Sequence, residues 1–160
     1  MDGAEVVMAL IPWGELYATG IEKVDADHRG LFDLMNELFA KIDASGGGAG
    51  RDEVGRALDA LDSATRSHFT WEEQELRSAS YSDLDGHLVA HERLLAKLYR
   101  LAADFRAGGT LGPPAIEFFK LWLGNHILGT DHLYVPTVKR FYVLGSAVGQ
   151  RPATSPRSLR

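Results

Sequence analysis

Apolar positions recur at helical spacing along most of the chain. A first stripe runs His28, Leu31, Phe32, Met35, Leu38, Phe39 and Ile42, in steps of three and four. Asp25 stands where an N-cap is expected, and the glycine-rich stretch 46–50 stops the helix. A second stripe runs Val54, Leu58, Leu61, Thr65, His68, Glu72 and Leu76, with Asp52 as its cap candidate. A third, opened near Asp83, runs Leu84, His87, Leu88, His91, Leu94, Leu98, Leu101 and Phe105 and ends at Gly108-Gly109. A fourth opens at Pro113-Pro114, residues suited to a helix's first turn, and continues through Phe119, Trp122, His126 and Ile127 toward Tyr134 and Pro136. Four helices with short connections predict an all-α, up-down-up-down antiparallel four-helix bundle. The expected organisation is an N-terminal arm over 1–24, the bundle over 25–145 and a flexible tail over 146–160. Trp13 and Tyr17 are expected to pack the arm across one end or side of the bundle.

Composition narrows the function classes. The chain has 160 residues, enough for one domain. Its 17 basic and 22 acidic residues give a net charge of −5, a poor match to nucleic acid. Cysteine is absent, so disulfides, zinc–thiolate sites and thiol catalysis are excluded. No apolar run approaches the length of a membrane span, and no basic n-region precedes the N-terminal apolar stretch. A cytoplasmic location without membrane partners is the expectation.

The candidate chemistry lies inside the stripes. Where a plain bundle would place leucine stand His28, the pair His68 and Glu72, the pair His87 and His91, and His126 with Asp131 five residues on. Members of each i, i+4 pair share one helix face. Any one of these residues alone reads as a packed or surface polar group. Together they put five histidines and two carboxylates on core-facing stripes of all four helices. Unpaired buried carboxylates and imidazoles cost several kcal/mol, and a metal ion compensates them directly. Imidazole suits zinc, copper, iron or nickel. Seven ligands are too many for one tetrahedral zinc. They suit two octahedral ions: with both carboxylates and one oxo or hydroxo group bridging, a single position stays open. Two carboxylates carry less negative charge than the four of carboxylate-rich di-iron bundles, which favours reversible dioxygen binding over oxygen activation. On a straight helix His126 and Asp131 lie about 140° apart, so they either straddle the site or sit on a π-type turn. Straddling is the expectation.

The ordered motifs resemble those of the hemerythrin family in its bacterial single-domain form. They read Trp13-x3-Tyr17-x2-Gly20-Ile21-x2-Val24-Asp25-x2-His28, then His68-Phe69-x2-Glu72-Glu73, then His87-x3-His91, then Trp122-Leu123-x2-His126-Ile127-x3-Asp131. The resemblance covers most of the chain, from Trp13 to Tyr134. It implies a non-haem di-iron centre, oxo- or hydroxo-bridged, that binds O2 reversibly. His28, His68, His87, His91 and His126 would be terminal ligands, and Glu72 and Asp131 would bridge. Leu31, Phe69, Trp122, Leu123 and Ile127 would form an apolar O2 pocket. Asp27 stands where the family often has Gln, and would either orient His28 or face water; Glu73 is expected to be solvated. Leu76 and Ser82 are further departures, neither at a ligand position. His132 matches no ligand and is expected at the surface.

A carrier, store or sensor of O2 is the leading expectation, with NO among other small ligands the site could take. The competing class is a di-iron redox enzyme: an oxidase, peroxidase or nitric oxide reductase. Storage of iron or zinc is a third class, less suited to so closed a ligand set. The chain offers no obvious catalytic acid–base group and no signalling module of its own.

Overall fold

The computed structural model describes residues 11–45 and 50–147. A short 3-10 turn at Glu15–Tyr17 precedes α1 (Glu22–Ser45), α2 (Arg51–Ser78) and α3 (Leu84–Arg106). The fourth rod of the bundle is α4 (Pro113–His126), a π-helical turn (Ile127–Asp131) and α5 (His132–Ala147) in unbroken succession. Helix α1 packs on α2 and α2 on α3, while α4 closes against α1 and α5 against α2. The four-helix bundle is therefore the observed fold, and no strand occurs among the described residues. No described helix is long and apolar enough to cross a membrane. Glycines 46–48 and the segment from 148 onward lie outside the described residues, so the expected tail does too, except that residues 146 and 147 end α5.

The stripes become the core. Met35, Leu38, Phe39, Leu61 and Phe119 are completely buried, each burial contributing about 1.5–3 kcal/mol. One large apolar cluster fills the half of the bundle that holds these residues, and a smaller one gathers Ile21, Val24, Leu76, Tyr134 and Val138. Trp13 and Tyr17 pack on Phe32, with ring centroids 5.4 and 4.8 Å away, which places this segment against the bundle.

Helix ends follow local chemistry, with two differences from expectation, at Asp25 and at Asp52. Helix α1 starts at Glu22, so Asp25 lies in its first turn rather than at the cap. Its carboxylate reaches back to accept from Thr19 N, Thr19 Oγ1 and Gly20 N at 2.7, 2.7 and 3.0 Å. Gly20, at φ +71°, makes the turn that allows this. Helix α2 starts one residue before Asp52, with Gly50 at its cap, and Asp83 does stand at the cap of α3. Helix α3 closes through Gly109 N to Asp104 O at 2.9 Å, and Gly108 takes the left-handed position at φ +106°.

Candidate metal centre

The expected straddle is corrected by the π-turn. At Ile127–Asp131 the helix widens by one residue per turn, so the five-residue spacing brings Asp131 back beneath His126. Pro136 follows one turn later and denies a backbone donor to the carbonyl of His132, loosening the same stretch. The result places His126 Nε2 3.1 Å from Asp131 Oδ1.

All seven expected ligands are buried, none exposed by more than 6%. Among the described residues their donor atoms form two groups, each compact enough to hold a metal ion. One comprises His87, His91, His126, Glu72 and Asp131; the other comprises His28, His68 and the same two carboxylates. The carboxylate oxygens divide between the groups. Glu72 Oε2 lies 3.0 Å from His87 Nε2 and 3.1 Å from His91 Nε2, and Oε1 lies 3.8 Å from His68 Nε2. Asp131 Oδ1 faces His126 and His87, at 3.1 and 3.8 Å, whereas Oδ2 lies 3.2 Å from His28 Nε2. Every histidine presents Nε2 to the interior of the cluster.

The donor set fits cations better than a hydrogen-bonded polar core. His28 and His68 meet Nε2 to Nε2 at 3.1 Å, and His91 and His126 at 3.2 Å. Two imidazole nitrogens can share at most one useful proton in such a contact. Both oxygens of Asp131 are buried with no properly aligned hydrogen bond, despite the two nearby imidazoles. Separations near 3 Å are those of adjacent donors around an ion with bonds of about 2.1 Å. A buried carboxylate such as Asp131, approached by imidazoles without hydrogen-bond alignment, calls for positive charge beside it.

The electrostatics agree. Burial pushes the Glu72 carboxyl up, but bonds from His87 and His91 hold it well below the usual carboxylate range. Burial and the charge of Glu72 push Asp131 up; His126 and His28 outweigh them and leave it lowered. Burial pulls His68 down, and Asp27, Glu72 and Asp131 together raise it. Both carboxyls are thus held in the anionic form that a metal requires.

The surrounding shell holds residues whose roles the sequence left open. Asp27 does not orient His28, whose Nδ1 has no hydrogen-bond partner among the described residues. It instead bonds His68 Nδ1 at 3.1 Å, across the α1–α2 interface, and is itself held by Lys23 Nζ at 2.5 Å. Glu73 is not simply solvated: it takes His91 Nδ1 at 2.9 Å, across the α2–α3 interface, with Arg77 3.5 Å away. Each acid neighbours one ligand in sequence and orients another on the next helix. Tyr134, visible in the sequence only as a stripe residue, donates its hydroxyl to Glu72 Oε1 in a short hydrogen bond. Burial and the two carboxylates raise its pKa, so it remains a donor. His132 is half-buried rather than at the surface, and its Nε2 is out of solvent.

The five expected pocket residues are all buried in the large cluster. Phe69 lies flat on His91, with centroids 3.5 Å apart and planes 1° from parallel. It also sits 5.4 Å from the His126 ring. One wall of the cluster is therefore apolar and aromatic.

Fold and site together define a class: a four-helix bundle whose core carries a His/Glu/Asp cluster able to hold metal. The family model for the hemerythrin HHE cation-binding domain matches residues 19–138. The chain belongs to the hemerythrin family. It is 34% identical to a bacteriohemerythrin of Methylococcus capsulatus, over 81% of this chain and 97% of that one. It is 32% identical to a myohemerythrin of Theromyzon tessulatum, over 76% and 88% of the two chains. A crystal structure of wild-type hemerythrin superposes with a TM-score of 0.73 at 32% identity, covering 81% of this chain and 98% of that one.

Proposed function

We propose that this protein binds dioxygen reversibly at two iron ions shared by its carboxylates, as an oxygen carrier, store or sensor. The observation that carries the reading is the division of Glu72 and Asp131, each with one oxygen toward either histidine group. Two carboxylates so divided suit a pair of ions better than a single one. The residues His87, His91 and His126 would hold one ion, and His28 and His68 the other. That asymmetry would leave the open position on the His28/His68 side.

The iron pair would supply two electrons and one open coordination position. The protein supplies the rest. Glu72 and Asp131 keep the two positions at a fixed separation, and their modest negative charge leaves high-valent chemistry less accessible. Asp27 and Glu73 lock two imidazoles with Nε2 inward, the tautomer needed for metal binding. Leu31, Phe69, Trp122, Leu123 and Ile127 form an apolar chamber that excludes water and slows oxidation. The similarity to bacteriohemerythrins and a myohemerythrin supports iron as the metal and O2 as the ligand.

The test is optical. Fully reduced, iron-reconstituted protein is exposed to O2 and then purged with argon. A charge-transfer band that appears and disappears reversibly is expected. Oxidation that does not reverse, with continued turnover on added reductant, would replace this reading with that of a di-iron redox enzyme. Absence of any band would remove the iron pair itself.

A further inference from the structure

We propose that residues 12–18 form a gate over the ligand chamber, with the Trp13 and Tyr17 rings controlling which ligands enter and how fast. The inference rests on the reading of the apolar pocket as that chamber.

The segment is pinned at both ends and free of polar ties between them. At one end Ile11 exchanges two hydrogen bonds with the Asn36 side chain, N to Oδ1 and O to Nδ2, both at 3.0 Å. At the other, Thr19 and Gly20 are fastened to Asp25. In between, among the described residues, the backbone makes only the local bonds of its 3-10 turn, Tyr17 N to Gly14 O and Ala18 N to Glu15 O. Among the described residues, the Trp13 indole N–H is buried without a partner and the Tyr17 hydroxyl has no hydrogen bond. The ring contacts on Phe32, with the Arg29 guanidinium 5.2 Å over the Trp13 ring, hold the middle of the strap closed, and Leu16 at its tip is 69% exposed. Segments with few buried polar ties open locally far more often than the fold unfolds.

What the strap covers gives it a function. Both rings rest on Phe32, one helical turn beyond His28 and next to the chamber residue Leu31. The 3-10 turn packs on the π-turn that begins at Ile127 and ends at Asp131. Tyr17 fits against α4 at Gly124, where a side chain's first carbon would already stand 3.7 Å from its hydroxyl. Gly124 in turn adjoins the chamber residue Leu123. The strap thus closes on the two rods that supply His28, His126 and Asp131. Aromatic rings pass a small apolar diatomic more readily than water or an anion, which must shed hydrogen bonds to cross between them. A gate of this kind changes the barrier to entry and exit and leaves the end states alone.

The test uses the iron-loaded full chain and three readouts. Trp13→Ala and Asn36→Ala are each expected to raise O2 association and dissociation rates together, by roughly ten-fold or more for Trp13→Ala, with Kd held within about two-fold. Asn36→Ala keeps every ring and removes one pin, so it decides the matter should Trp13→Ala fail to fold. Tyr17→Phe is expected to behave as the parent, since its hydroxyl is unbonded. Entry of azide into the oxidised protein, followed optically, should speed up in the same variants, and it reads the gate even if O2 proves not to be the ligand. Independently of any ligand, the Trp13 indole N–H should exchange with solvent by local opening, faster still in Asn36→Ala. Exchange only by global unfolding would overturn the gate. So would unchanged entry rates in folded Asn36→Ala, or an effect confined to dissociation with a proportionate loss of affinity, which would make the rings a fixed wall.

Discussion

His126 and Asp131 are five residues apart in sequence, yet His126 Nε2 and Asp131 Oδ1 stand 3.1 Å apart on one face of the fourth rod. The π-turn between them makes this possible. It also aims Oδ1 at one histidine group and Oδ2 at the other. Asp131→Asn keeps the shape and removes both the charge and one of the two equivalent oxygens. The amide nitrogen cannot serve as a ligand. Iron bound per chain is expected to fall from two to one or fewer, measured by elemental analysis after reconstitution. Retention of two irons would show that Asp131 does not bridge.

The hydrogen bonds from Asp27 to His68 and from Glu73 to His91 predict graded losses. Removing the outer partner of a metal-bound histidine costs about 10–100-fold in metal affinity. Asp27→Ala and Glu73→Ala should each lose on that scale in competition with a chelator. Asp27→Asn should lose less, because its amide oxygen still accepts from His68 Nδ1. Lys23→Ala should lose least, since the Lys23–Asp27 pair is half-exposed at the lysine and screened by water.

Much of this was legible in the sequence, for identifiable reasons. The helices announced themselves because each buries one stripe: every member of Val54, Leu58, Leu61, Thr65, His68, Glu72 and Leu76 is buried. The ligand pairs were readable because i, i+4 spacing fixes a shared face whatever the tertiary register. The roles of Asp27 and Glu73 were not readable, since each reaches a histidine on another helix, and that contact depends on how the helices slide past one another. Tyr134 looked like one more core aromatic; only the bundle's closure brings its hydroxyl to Glu72, 62 residues away in sequence. The π-turn left a trace in the five-residue spacing, but straight-helix geometry favoured straddling. Asp25 as an N-cap puts the start of α1 four residues too late, because its carboxylate caps from within the first turn, a contact that Thr19 and Gly20 complete.

Tyr134 gives a stability prediction separable from metal affinity. Its ring is 1% exposed and packs against His87 and Tyr81, while its hydroxyl satisfies Glu72 Oε1. Tyr134→Phe keeps the ring and leaves that oxygen without its donor. Such an unmet acceptor costs about 1–3 kcal/mol. Urea unfolding of the variant should show a loss in that range with an unchanged m-value. No loss at all would mean that water or a shift of Glu72 replaces the hydroxyl.

Asp25 makes a prediction about acid. Burial pushes its carboxyl up, but the bonds from Thr19 and Gly20 prevail and hold it below the ordinary value. A folded pKa below the unfolded one adds stability that is complete above the unfolded pKa, about 3.9, and is lost as pH falls through the folded value. Asp25→Asn forfeits the charge-assisted part of those bonds, and should cost about 1–3 kcal/mol at neutral pH. The cost should shrink once the pH drops below the unfolded pKa, because the parent's carboxyl is then becoming protonated too. Comparing parent and variant at each pH cancels the acid-driven loss of metal that both share. Urea unfolding at pH 7 and again near pH 3 measures the two differences. A difference that does not narrow in acid would show that Asp25 tethers the arm through shape alone.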